Sequence, residues 1–149
     1  MPLAPRCFPL ALTLICGLGF AACATRPAHL ENLVVVSEGE SNHGEATAVD
    51  LVFVFDSSLL PRMPRNSLDW FAQRSALVVA AGSALEVVTM QVPPASMAHV
   101  PLPAKGSKAV AVLVYAAYSG GSGQAVGDIS GHKEVEIRLA KDAVIYGGK

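Results

Sequence analysis

The chain has 149 residues, enough for one domain once a targeting segment is removed. Its formal charge is −1 with 15% charged residues and no basic run, so it lacks the electrostatic footprint of a nucleic-acid binder. Sparse charge and abundant β-branched residues exclude a disordered chain, and confinement of Cys7, Cys16 and Cys23 to the N-terminus excludes a disulfide scaffold, thiolate metal site or cysteine nucleophile downstream.

The first element is a leader. One cation, Arg6, precedes residues 8–20, which are apolar apart from Thr13, and Ala21 and Ala22 lead to Cys23. A charged start, a short apolar stretch and a small-residue exit form the signal-peptide pattern. A spanning helix needs about 20 apolar residues, and this run is shorter and interrupted by Pro9, Gly17 and Gly19. Phe20-Ala21-Ala22-Cys23 resembles the bacterial lipobox, in which small residues precede a cysteine that is acylated and becomes residue one. Phe20 stands where Leu is usual. The expectation is a lipoprotein signal peptide over residues 1–22, lipidation at Cys23, a lipidated N-terminus and tether over 23–32, and a folded domain over 33–149. An ordinary signal peptide cleaved after Ala22 is the competing reading. Two or more acyl chains hold a protein stably at a bilayer, at about 0.8 kcal/mol per buried CH₂. Ala24 follows the cysteine, where Asp would resemble an inner-membrane retention signal, so the expected place is the outer membrane, facing the periplasm.

Residues 24–30 read as tether. Residues 33–37, Leu-Val-Val-Val-Ser, read as a strand, and polar residues 38–47 as an exposed loop with Asn42, His43 and Gly44 at its tip. Residues 48–56 alternate, which places Val49, Leu51, Phe53 and Phe55 on a core face. Pro61 and Pro64 break the chain; Asn66 or Ser67 then caps a short helix expected to run to Arg74, with Trp70 packed against a sheet edge. Strands are expected at 77–80 and 84–92, an edge strand at 98–102 beside Pro101 and Pro103, and a central strand at 108–118. Residues 119–131, rich in Gly and Ser, read as a mobile loop. In residues 133–141 Val135, Ile137 and Leu139 alternate with Glu134, Glu136 and Arg138, and a last strand covers 142–146. Some eight short strands and one small helix predict an all-β fold, an antiparallel β-sandwich.

Chemistry is sparse. His29, His43, His99 and His132 lie in separate segments without ligand spacing, so no metal is expected. Ser119-Gly120-Gly121-Ser122-Gly123-Gln124 lacks the final Gly of a nucleophile elbow, and Val126 stands where a dinucleotide loop needs Gly. The carboxylate pairs Glu134/Glu136 and Asp50/Asp56 sit on strands, without a nucleophile beside them. A non-enzyme without cofactors is the reading.

At the level of lipobox, tether, first strand, Asn/Gly loop and second strand, the chain resembles the TssJ lipoproteins of type VI secretion systems. The residues that carry this are Cys23, Asn42-His43-Gly44 and Val49-Asp50-Leu51-Val52-Phe53-Val54-Phe55. Leu68-Asp69-Trp70-Phe71 and the strand over 111–118 also fall where that family has comparable elements. The family's tyrosine-rich end to the second strand is absent, since Phe55-Asp56 stands there. The resemblance implies a transthyretin-like sandwich anchored in the outer membrane that recruits the periplasmic part of an inner-membrane partner, TssM, into a trans-envelope complex. It also implies a contact surface at the first inter-strand loop: Glu38, Gly39, Glu40, Ser41, Asn42, His43, Gly44, Glu45, Ala46 and Thr47. No small-molecule substrate is expected. The alternative is a periplasmic carrier or envelope assembly factor with a ligand cleft in the sandwich, which a deep apolar pocket would distinguish. A hydrolase with an unrecognised site ranks third.

Overall fold

The computed structural model describes Met1 and residues 27–121 and 123–148. The leader, the expected lipidation site Cys23 and Ser122 lie outside the described residues. In chain order the elements are β1 (Asn32–Ser37), β2 (Thr47–Val54), α1 (Ser67–Ala81), β3 (Leu85–Val92), β4 (Ser96–His99), β5 (Ala111–Ala117), β6 (Gly127–Asp128), β7 (Glu134–Leu139) and β8 (Val144–Gly148). The strands form two sheets, ordered β4-β1-β7-β8 and β3-β2-β5-β6. All pairs are antiparallel except β1 with β7, which run parallel with Asn32 opposite Glu134 and Ser37 opposite Leu139. A parallel pair needs a long crossover, and here nearly the whole domain lies between the two strands.

Period-two patterning explains the first sheet. In β7 Val135, Ile137 and Leu139 are buried and Glu134, Glu136 and Arg138 are exposed. In β1 Leu33 and Val35 face the same interior. Opposite them, the second sheet contributes Val49, Leu51 and Phe53 from β2 and Val112, Val114 and Ala116 from β5. Each such large aliphatic side chain contributes about 1.5–3 kcal/mol on leaving water.

The central strands of the second sheet, β2 and β5, are buried on both faces, because α1 lies across its outer side. Val52, Val54, Leu113 and Tyr115 point to the helix and close a second core around Trp70. That double burial is why β2 and β5 read as near-continuous apolar runs. Trp70 packs on an inner strand rather than at a sheet edge: its ring stacks on Tyr115 with centroids 4.7 Å apart and planes 10° from parallel. Its Nε1 donates to Asp50 Oδ2 at 2.8 Å, and Arg74 donates to the same oxygen at 3.0 Å. Asp50 is fully buried, and its Oδ1 has no hydrogen-bond partner.

Three expectations are corrected. The helix does not stop at Arg74, and residues 77–80 are not a strand: α1 continues to Ala81. Nothing between Arg74 and Leu77 breaks a helix, and Trp70, Leu77, Val78 and Ala81 recur at helical spacing against the second core. Its start follows expectation, with Asn66 accepting from Asp69 N at 2.8 Å, and its end is Gly82 at φ +54. The segment 119–131 is not simply a loop. It contains β6, a bridge between Ala125 and Asn66, and the buried Ile129. Ala28 and Leu30, assigned from sequence to the tether, are core residues, and Ala28 N donates to Ala109 O.

Candidate functional site

One end of the sandwich gathers the loop leaving β1, the turn into β4, the segment after β5 and the β7–β8 turn. The β1–β2 loop is a built structure. Glu38 N donates to Leu139 O and Glu38 O accepts from Ala95 N, which fixes its exit between neighbouring strands. Ser41–Gly44 forms one turn of 3₁₀ type in which Asn42 (φ 48), His43 (φ 57) and Gly44 (φ 84) are all left-handed. Non-glycine residues with positive φ are uncommon, and Asn and His are among those that tolerate it. The sequence Asn-His-Gly therefore suits three such residues in a row.

This conformation turns Asn42 inward. Its Oδ1 accepts from Ser119 N at 2.7 Å and from Ser119 Oγ at 3.0 Å, and its Nδ2 donates to Ala46 O at 3.4 Å. Asn42 N also donates to Ala140 O. Beneath it the hydroxyls of Ser37 and Ser41 share a hydrogen bond of 2.6 Å. Ser41, Asn42 and Thr47 are buried, so the expectation of Asn42 at an exposed tip is corrected. Of the ten residues expected at the contact, Glu38, Gly39, Glu40, His43, Gly44, Glu45 and Ala46 offer surface.

The neighbouring turns are tied to this loop. His43 Nε2 lies 3.0 Å from Asp142 Oδ1, and Lys141 Nζ donates to Glu40 Oε2 at 3.2 Å. Gln124 acts as a short strand for the β7–β8 turn: its Nε2 donates to Asp142 O and its Oε1 accepts from Val144 N. The Tyr118 hydroxyl contacts Ala140 O at 2.9 Å and Ala143 O at 3.0 Å. A depression of 290 Å³ lies among Gly39, Glu40, His43, Gly44 and Lys141. The Ser119 segment thus latches onto Asn42, a geometry unlike that of a nucleophile elbow.

Burial pushes the Tyr118 phenol up to about 12, with the charges of Glu38 and Asp142 adding to it. Burial, then the Tyr118 phenol, pushes Tyr146 to about 12 as well. The folded state binds these protons more tightly than an unfolded chain, whose tyrosines ionise near pH 10. This stabilisation is fully present below pH 10 and is lost as pH rises through 12. Thermal unfolding followed with phenolate absorbance is expected to show stability falling across that window, less steeply in Tyr118→Phe.

Glu136 pairs with Arg138 on the exposed face, and His29, His99 and His132 are exposed. Among the described residues no three His, Cys, Asp or Glu side chains gather as a metal site. Side chains of both sheets meet in one apolar cluster between them. A concavity of 530 Å³ instead lies on the outer face of the first sheet, among Val34, Val36, Met97 and Glu136.

No family model matches the chain, and neither does any curated protein. Solved structures do. The type VI secretion lipoprotein TssJ1 from Pseudomonas aeruginosa is 14% identical, with 80% of this chain and 97% of that chain covered at a TM-score of 0.57. Serratia marcescens Lip, a membrane-bound component of the type VI secretion system, is 10% identical over 80% and 96% of the two chains, TM-score 0.55. A chain of a type VI membrane complex is 11% identical over 77% and 95%, TM-score 0.50. The chain is a β-sandwich with the fold of TssJ lipoproteins.

Proposed function

We propose that this chain is a lipid-anchored adaptor of a type VI secretion membrane complex. Acylated Cys23 holds it at the outer membrane, and its β1–β2 loop binds the periplasmic domain of a TssM-like inner-membrane component. The observation that carries the reading is the shared fold, which covers 80% of this chain, combined with a cysteine behind small residues in the leader.

The direction of β1 supports a division of labour. The chain from Cys23 reaches the domain at Ala28 and enters β1 at Asn32, whereas the loop leaves from Ser37. Six extended residues span about 20 Å, so a bilayer-held N-terminus and a partner-facing loop sit at opposite ends of one strand. A loop fixed by Asn42 on a rigid sandwich presents its side chains at little ordering cost.

The test keeps the scaffold. Changing Glu38, Glu40, His43 and Glu45 to serine while retaining Asn42 and Gly44 is expected to weaken co-purification of the partner domain by about tenfold or more, with the unfolding midpoint lowered only slightly by the loss of the exposed Glu40–Lys141 and His43–Asp142 pairs. Cys23→Ser is expected to move the protein from the membrane to the soluble envelope fraction. Wild-type co-purification by the serine variant would remove the loop from the interface, and an unacylated thiol at position 23 in the mature protein would remove the anchor.

A further inference from the structure

The edges of the two sheets are guarded unequally. β6 has two residues, β4 has four between Pro93-Pro94 and Pro101, and β8 has five and ends in Gly147-Gly148. Short edge strands, Pro and cations are the means by which soluble proteins discourage further strand pairing. β3 has none of them: Leu-Glu-Val-Val-Thr-Met-Gln-Val runs for eight residues along the outside of β2 without a Pro, a Gly or a cation.

The register identifies which of its backbone groups are open. Val112, opposite Phe53, turns its N–H and C=O away from β2, to Ser130 Oγ and Ile129 N. Phe53 therefore bonds Glu86 on its other side, and alternation along an antiparallel ladder aims Glu86, Val88 and Met90 at β2. Val87, Thr89 and Gln91 are left with N–H and C=O groups that point away from the sheet, and among the described residues no hydrogen bond reaches them. Val88 and Met90 pack against the first core yet are only partly buried, whereas Val49 and Leu51 on the neighbouring strand are wholly buried. One added strand would pair the open groups and cover both side chains.

β3 rises from the end where the chain enters the domain to the β1–β2 loop, where Val92 pairs with Thr47 and Ala95 N donates to Glu38 O. A polypeptide that reaches the loop and continues toward the bilayer therefore runs antiparallel to β3. The stretch from Val87 to Gln91 carries no charge, which selects a neutral segment over a charged one that would have to be desolvated there. We infer that the inner-membrane partner of the proposed complex adds an extended, uncharged segment to β3, paired with Val87, Thr89 and Gln91. This rests on the adaptor reading and adds a second contact to the loop.

The test uses full-length acylated protein in detergent, with the purified periplasmic domain of the inner-membrane component as probe, and reads amide hydrogen exchange. In the free protein the Val87, Thr89 and Gln91 amides are expected to exchange rapidly beside protected Val88 and Met90. In the complex those three are expected to slow by about tenfold or more. Thr89→Pro removes an outward donor and leaves the ladder with β2 intact, so it is expected to raise Kd by about tenfold with an unfolding midpoint near that of wild type. Should that variant fail to fold, exchange in the wild-type complex alone decides. Rapid exchange at the three amides in a saturated complex overturns strand addition and leaves the adaptor reading intact. Protection already present in the free protein also overturns it: protection that grows with protein concentration puts a second copy on the edge, and protection at every concentration puts the chain's own N-terminal residues there. Absence of wild-type binding overturns both readings.

Discussion

Trp70→Ala is expected to destabilise the domain by about 4 kcal/mol, because it empties the centre of the second core and removes a donor from a buried carboxylate. The indole is fully buried and stacked on Tyr115, and its N–H supplies one of the two hydrogen bonds that Asp50 receives. The other comes from Arg74, which remains partly exposed, so the variant leaves a wholly buried anion with a single, half-solvated partner. Breaking a buried charge interaction on one side costs more than the pair is worth intact. Trp70→Phe separates the two effects. It keeps an aromatic ring near Tyr115 and loses only the N–H, with an expected cost of about 2 kcal/mol. Urea unfolding midpoints measure both. A loss below about 0.5 kcal/mol for the alanine variant, the range of ordinary surface changes, would show that the indole does not pin the helix to the sheet.

That cluster also joins residues whose proximity leaves no trace in the local sequence. The alternation of β7 announced both its faces, since one side of its sheet meets water and the other the core. β2 carried no such contrast, because Val52 and Val54 are covered by α1 as fully as Leu51 and Phe53 are covered by the first sheet. Asp50 was visible as a carboxylate in an apolar strand. Its partners lie 20 and 24 residues away on a helix, and only the packing of α1 on the sheet brings them together. Leu-Val-Val reads as strand when taken alone, which ends the expected helix at Arg74. The anchoring of Trp70 in the same helix overrides that local preference. The parallel pairing of β1 with β7 was equally hidden, since register between strands about 100 residues apart leaves no local trace.

The candidate site was half legible. Asn, Gly and clustered Glu residues located the β1–β2 loop, and their polarity rightly placed most of it at the surface. Polarity alone, however, does not tell a solvated Asn from one that satisfies a neighbouring segment. The bonds from Ser119 to Asn42 join residues 77 positions apart. The glycine-rich segment reads as mobile for a related reason: glycine content reports freedom in the unfolded chain, whereas Asn42 holds Ser119, Ser67 holds Gln124 N, and the Gln124 amide holds Asp142 O by specific hydrogen bonds.

Asn42→Ala is expected to cost about 3 kcal/mol and to abolish partner binding, although Asn42 itself is buried. Two effects add. Two hydrogen bonds from Ser119 and one to Ala46 disappear, which leaves the Ser119 N–H without its acceptor, and alanine must occupy φ 48, where an Asn is tolerated and an Ala is strained. Asn42→Gly relieves only the last of these, so its cost should be about 1 kcal/mol smaller. Asn42→Asp keeps the acceptor for Ser119 and tolerance of the left-handed region, loses the donation to Ala46, and adds a carboxylate to an already acidic end. That carboxylate is buried and one of its oxygens faces the Ala46 carbonyl, so the variant should be the mildest of the three only at low pH, where the carboxyl is protonated. A higher unfolding midpoint for Gly than for Ala, with binding lost in both, would identify Asn42 as a positioning residue that holds His43, Gly44 and Glu45 in one arrangement. A chain in which alanine leaves both the midpoint and the partner affinity unchanged would have a β1–β2 loop held by its backbone bonds to Leu139, Ala140 and Ala95 alone.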